Sequence, residues 1–170
     1  MTMTLNGSGT IVGLVAGGIP DDTIVADNIA SLPAGSVLQV VNATYSTAVS
    51  TTGGTYIDTG LTATITPSSA SSKILVFVEQ VGLSKAAGNG GLWLKLLRDA
   101  TDIVQLCIND VYDGTTSALR VAGAGTTYLD SPATTSATTY KTQFYAFNSV
   151  TAYMQQSGSK STLTLMEIAA

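Results

Sequence analysis

Between Pro67 and Leu83 the chain reads PSSASSKILVFVEQVGL, and this stretch limits the fold more than any other. A polar turn, Pro67 to Ser72, is followed by Ile74, Leu75, Val76, Phe77 and Val78, which are apolar at both alternating parities. A run this short, β-branched and aromatic, and bounded by turn residues, reads as a strand covered on both faces. A helix is the rival, but three β-branched residues in five, with Gly82 after them, argue against it. The strand is expected in the middle of a sandwich, with later strands laid beside and over it.

The rest of the chain from Ser36 has the same character. Val37 to Ala43 opens the series, and Tyr45 to Ser50 extends it. Leu61, Ala63 and Ile65 alternate with Thr62, Thr64 and Thr66, the pattern of a half-buried strand with a hydroxyl-coated outer face. Leu92 to Arg98 and Ile103 to Ile108 predict a hairpin around Asp99–Asp102. Ala118 to Ala122 and Thr127 to Leu129 are brief strands, with Gly123-Ala124-Gly125 a bulge or a close backbone approach between them. Thr139 to Phe147 alternates Tyr140, Thr142, Phe144 and Ala146 with Lys141, Gln143, Tyr145 and Phe147. Asn148-Ser149 then predicts a hairpin into Val150 to Gln155, and Ser161 to Ile168 is the last strand. About nine short strands with no convincing long helix predict an all-β, antiparallel β-sandwich of jelly-roll type.

Composition narrows the function. Only 11% of the 170 residues are charged and the net charge is −4, while Ser and Thr carry much of the polarity. Such a surface repels its own copies weakly and favours tight, static association. Seven scattered Lys and Arg residues make no basic stripe for nucleic acid. No apolar run approaches membrane-spanning length, and the N-terminus lacks the pattern of a secretory signal. The lone Cys107 lies in an apolar strand and reads as a buried, inert thiol.

The chain has no histidine, which removes Ser-His-Asp and Cys-His arrangements and the usual transition-metal sites. Most carboxylates sit in predicted turns, where Asp bonds its own backbone. No spacing suggests an acid–base pair, so no enzymatic activity and no cofactor are expected. Asn109 to Gly114 offers oxygen ligands at Asp110 and Asp113, but lacks the acid spacing and distal Glu of a calcium loop. Glu79 interrupts an apolar strand. Either it meets solvent, or it is partly buried and bonded to a neighbouring subunit through Lys95 or Arg98. Trp93 and the tyrosines stack on sugars or form an interface where exposed. Tyr112 and Tyr128, in a loop or at a strand end, are the candidate receptor contacts, since strand aromatics are most often core.

Residues 1–35 differ from the rest of the chain. Ile11, Val12, Leu14 and Val15 lie among five glycines between positions 7 and 18 and cannot bury much alone. These four are the candidate anchor to another protein. Asp21 or Asp22 can cap a short helix through Ile24, Val25, Asn28, Ile29 and Leu32, or the same set lines a trimeric stalk.

Residues 6–21, NGSGTIVGLVAGGIPD, resemble the glycine-rich segment of bacteriophage tail-fibre and virion-appendage proteins. Residues 36–41 (SVLQVV), 56–67 (YIDTGLTATITP), 71–76 (SSKILV), 129–132 (LDSP) and 163–168 (LTLMEI) resemble the C-terminal β-sandwich heads of phage fibres, especially cyanophage-like ones. The resemblance implies a virion protein assembled in the host cytoplasm. Residues 1–35 would anchor it to capsid or tail, and residues 36–170 would form a homotrimeric head. It would serve as a capsid decoration or tail fibre, with host-surface polysaccharide a further partner. A fibre adaptor for host attachment is the rival within this class. From other classes the rivals are a carbohydrate depolymerase and a monomeric sandwich.

Overall fold

The apolar run at 74–78 lies within a longer strand, and the rest of the architecture is placed by its two edges. The computed structural model describes residues 32–108, 111–112 and 117–170. The candidate anchor Ile11, Val12, Leu14 and Val15, the helix or stalk at 21–31, and Asp110 and Asp113 lie outside the described residues.

The strands are β1 (Val37–Tyr45), β2 (Val49–Thr51), β3 (Ile57–Ile65), β4 (Lys73–Lys85), β5 (Gly91–Arg98), β6 (Thr101–Ile108), β7 (Leu119–Asp130), β8 (Thr138–Phe147), β9 (Ala152–Met154) and β10 (Ser161–Ile168). In β4, Glu79 stands opposite Thr162 of β10 on one edge and Gly125 of β7 on the other. With β1 paired to the far edge of β10, the first sheet runs β1-β10-β4-β7. Beyond the end of β10, β9 meets β4 at Ser84 and Lys85 and carries β2. The second sheet runs β3-β8-β5-β6.

All these pairs are antiparallel, and among the eight main strands only β5 and β6 are joined as a hairpin within one sheet. Every other connection between them crosses to the facing sheet. The protein is therefore an all-β antiparallel sandwich with the strand order of a jelly roll.

The two inner faces meet in a core set by period-two alternation. From β8, Tyr140, Thr142, Phe144 and Ala146 point inward and are buried; from β10, Ser161, Leu163, Leu165 and Glu167 do so. One apolar cluster gathers around Leu61, Ile65, Ile74, Val76 and Leu165, the other around Leu83, Leu92, Leu94, Phe144 and Met154. A buried polar chain ties the two sheets at the level between them. Thr59 and Thr142 share a hydrogen bond of 2.6 Å, Thr142 Oγ1 donates to Gln80 Oε1 (2.9 Å), and Gln80 Nε2 donates to Ser161 Oγ (3.0 Å). Mutually satisfied polar groups at this depth specify one register across the sheets.

Three local expectations change. Asn148 and Ser149 do turn the chain, both with positive φ, but β8 and β9 are not a hairpin. The chain leaves the second sheet there, and β9 pairs with β2 and β4 in the first. Second, the stretch around Gly123 is one continuous strand rather than two brief ones. Third, β4 runs on to Lys85 because Gly82, at φ +67°, turns it over. Before Gly82 the even residues Ile74, Val76, Val78 and Gln80 are buried; after it Leu83 joins the second core cluster. A side chain at Gly82 would meet the backbone nitrogen of Gln156 at 2.6 Å, so the position needs glycine for space as well as angle.

Candidate functional site

Each sheet turns one face to the core and leaves its outer face free to meet partners. On the first sheet, register places Val40, Met166, Leu75 and Leu129 in one row across β1, β10, β4 and β7. Val40 is 54% exposed and Leu129 55%. The next row is Asn42, Thr164, Phe77 and Thr127, with Phe77 39% exposed and Asn42 Nδ2 donating to Thr164 Oγ1 at 2.7 Å. The strand that reads as covered on both sides is thus covered on only one. Its second apolar side faces outward, Leu75 among aliphatic neighbours and Phe77 among Asn42, Thr164 and Thr127.

Glu79 comes next, in the third row, between Thr162 and Gly125. It is exposed, as the solvent reading expects, and has no hydrogen-bonding partner among the described residues. Lys95 and Arg98 are already held within the chain, on the other sheet: Lys95 Nζ sits 2.8 Å from Asp102, and Arg98 Nη1 2.8 Å from Asp130. The Glu79 carboxylate instead lies across β7, where a Cβ on Gly125 would collide with it. This is the close approach that Gly123-Ala124-Gly125 signals. An open hollow of about 330 Å³ lies there, lined by Phe77, Glu79, Gly125, Thr127 and Thr162.

The second sheet's outer face is aromatic. Trp93 of β5 stands opposite Tyr145 of β8, ring centroids 5.8 Å apart and planes at 57°. Tyr56, just before β3, packs on Tyr145 at 5.5 Å and 35°, and Lys95 Nζ lies 3.9 Å over the Tyr56 ring. Farther along β8, Phe147 lies across Gly91 and contacts Tyr112 at 5.7 Å; any side chain at Gly91 would meet the Phe147 ring. Five of the chain's eleven aromatic residues therefore share this face. The expectation that strand aromatics are core holds for Tyr140 and Phe144 and fails for Trp93, Tyr145 and Phe147. Alternation marks the two parities of β8, but aromatics occupy both, so sequence alone does not choose the inner one.

Tyr112 joins the aromatic face, whereas Tyr128 is half-buried on β7, on the same side as core Val76. The structure places the two candidate receptor contacts on different sheets.

A polar comb borders the rings. Gln143 Nε2 donates to Asp58 Oδ1 at 2.7 Å, and Lys141 Nζ pairs with the same carboxylate at 3.0 Å. Partial burial works against the Asp58 charge, but these bonds hold its carboxyl below the usual carboxylate range. Gln105 Nε2 donates to the carbonyls of Leu94 and Cys107. Among the described residues no group of three His, Cys, Asp or Glu side chains converges to hold a metal.

No family model matches the chain, and no curated protein matches its sequence. The solved structures to which the chain is similar include two from infectious bursal disease virus. One is the infectious bursal disease virus VP2 subviral particle, with TM-score 0.43 and 14% identity, covering 78% of this chain and 37% of that one. The other is the Gx strain of infectious bursal disease virus, with TM-score 0.39 and 15% identity, covering 89% and 43%. The chain spans less than half the length of either.

The groups that lock the sandwich are ones that sequence reasoning passed over. Glu167, fully buried in β10, accepts from Gln39 Nε2 (2.6 Å), Ser68 N (2.7 Å) and Ser68 Oγ (2.6 Å). Lys85 is buried with its Nζ donating to the carbonyls of Gly88 (2.7 Å) and Ser117 (2.8 Å). Asp130 accepts from both Arg98 and the buried Tyr140 hydroxyl, and burial with that carboxylate pushes the phenol well above its ordinary value. Glu167 lies 99 residues from Ser68 and 128 from Gln39, and Lys85 lies 32 from Ser117, so no local motif announces these bonds.

Proposed function

We propose that the protein is a phage virion structural protein whose sandwich is a head assembled from identical copies, serving mechanically rather than as an enzyme. The observation that carries the reading is the outward-facing Val40–Met166–Leu75–Leu129 row, exposed at both ends and half-buried between. A central strand apolar on both sides is expected to be covered on both, and one copy covers only the inner side. A second copy supplies the missing cover. Glu79 and Arg120 lie on this same outer face, oppositely charged and without partners among the described residues. Set against a neighbouring copy's face, they give complementary charge at the rim.

The resemblance of residues 36–41, 56–67 and 71–76 to fibre heads favours three copies. In this reading residues 1–35 fasten the trimer to capsid or tail, and exposed loops and faces touch host-surface glycans. Three copies per head then multiply weak contacts.

Size-exclusion chromatography with light scattering tests the assembly. The full chain is expected at three times the chain mass across dilution. Leu129→Ser with Val40→Ser, both exposed in one copy, is expected to lower that mass while leaving the β circular-dichroism spectrum intact. A concentration-independent monomer of the unaltered chain would remove the proposal.

A further inference from the structure

The aromatic face of the second sheet lies apart from the apolar row and has a different chemistry. We propose that it is a binding site for a neutral oligosaccharide chain, with Trp93 and Tyr145 as the stacking floor and Tyr56 and Tyr112 at its flanks. The proposal deepens, and rests on, the reading of the head as a contact for host-surface glycans.

The rings do not serve the core. Trp93 is 36% exposed on an outward face, between the Tyr145 ring on β8 and the exposed Ile108 on β6. An aromatic face is electron-rich and attracts the weakly positive C–H face of a pyranose, as it attracts cations. Around it stand groups suited to hydroxyls: the Gln143 amide, the Asp58 carboxylate, and the ammonium groups of Lys141 and Lys95. Apolar rings with a few fixed polar groups at the edge are the usual build of a small-molecule site.

The charges identify the ligand further. Lys95 is paired with Asp102 and Lys141 with Asp58, so among the described residues two cations meet two carboxylates and leave no net sign at the rings' polar edge. A polyanionic glycan gains nothing from such a rim, while a neutral sugar finds donors and acceptors alike. The rings are turned against one another by 57° and 35°. A twisted floor fits sugars that rotate along a soluble chain better than a flat crystalline surface. Because the rings already pack together, binding immobilises little that was free.

Trp93 is the chain's single tryptophan, so its fluorescence reports this site alone. The full chain is titrated with short neutral oligosaccharides, maltoheptaose and mannopentaose, with polyanionic oligoalginate as the contrast. The same set, as polysaccharides, is cast into native gels. A saturable emission change and gel retardation are expected with a neutral glycan, and neither with alginate. Trp93→Ala and Tyr145→Ala each weaken retardation at least about tenfold, and Trp93→Phe retains most of it, which separates stacking from misfolding. Leu129→Ser, on the opposite sheet, leaves the emission response to the short sugars unchanged even where it alters assembly, so failure of the sugar site and failure of the assembly reading are told apart. Silence toward every neutral glycan, an equal response to alginate, or wild-type retardation by Trp93→Ala overturns the proposal. So does a fall in particle mass on Trp93→Ala, which would make this face a contact between copies.

Discussion

Glu167→Gln probes how a carboxylate buried at the end of the sandwich holds three parts of the chain together. Burial alone would raise its pKa, but the bonds from Ser68 and Gln39 outweigh that, and its pKa falls from 4.5 to about 2. At roughly 1.4 kcal/mol per unit, the charged form stabilises the fold by about 3 kcal/mol. Since the folded value lies below the unfolded one, this contribution is complete above about pH 4.5. It fades as the pH falls toward about 2, where both states are protonated. Gln39 Nε2 also donates to Thr66 O at 2.7 Å, so loosening Glu167 loosens the tie between β1 and the turn before β4. Urea unfolding of wild type and variant, at one fixed protein concentration, isolates the effect. Other carboxylates titrate alike in both proteins and cancel in the difference. The variant is expected to be less stable by about 2–3 kcal/mol near neutral pH, with the gap closing as the pH drops toward about 3. Two stability curves that stay parallel across that range would refute the reasoning.

Gln80→Met removes one hydrogen bond each from Thr142, which keeps Thr59, and Ser161, which keeps Val81 N and Gln155, and is expected to cost about 1–3 kcal/mol in a thermal or urea melt; a loss under about 0.5 kcal/mol would show that the polar chain is dispensable. Gly82→Ala meets both the positive φ and the Gln156 backbone, and a cost of about 1–3 kcal/mol is expected by the same assay; a neutral outcome would mean that β4 does not need its turnover. The buried Cys107 thiol is expected to react with a disulfide reagent only after denaturant unfolds the sandwich, and prompt reaction in buffer would contradict its burial.

How far the fold was legible depends on whether a residue's neighbours lie close in sequence. The β5–β6 hairpin, the alternation of β3 and β8 and the central place of β4 all rest on local pattern, and they stand in the structure. The Asn148-Ser149 turn is equally visible, yet it does not say that the chain changes sheets there. The Glu79 carboxylate over Gly125 joins residues of two strands far apart in sequence; the glycines signal a close approach without naming its occupant. Glu167 and Ser68 are 99 residues apart, and a Glu ending an apolar strand looks like any solvent-facing residue. The aromatic strip was hidden for a related reason. Trp93, Tyr145 and Tyr56 are ordinary singly, and only the β5–β8 register makes them neighbours.

The central strands of the two sheets share a property that single-sided strands lack: both β4 and β8 carry large apolar residues at each parity. In a lone sandwich the inner parity is buried and the outer parity is left over. An apolar outer side costs solubility and gains no stability in the isolated chain. What is left over differs between the sheets. On the first it is aliphatic, Val40, Met166, Leu75 and Leu129, a surface that adapts to another protein face by close packing. On the second it is aromatic and bordered by Lys141 and Gln143, so apolar and hydrogen-bonding groups lie side by side. Packing a second protein there would bury two ion pairs, with a desolvation cost that their attraction need not offset. A sugar chain leaves those pairs wet at the rim and covers only the rings. The sheets therefore divide the labour in the proposed head: one is chemically suited to meet its own kind, the other to meet a glycan.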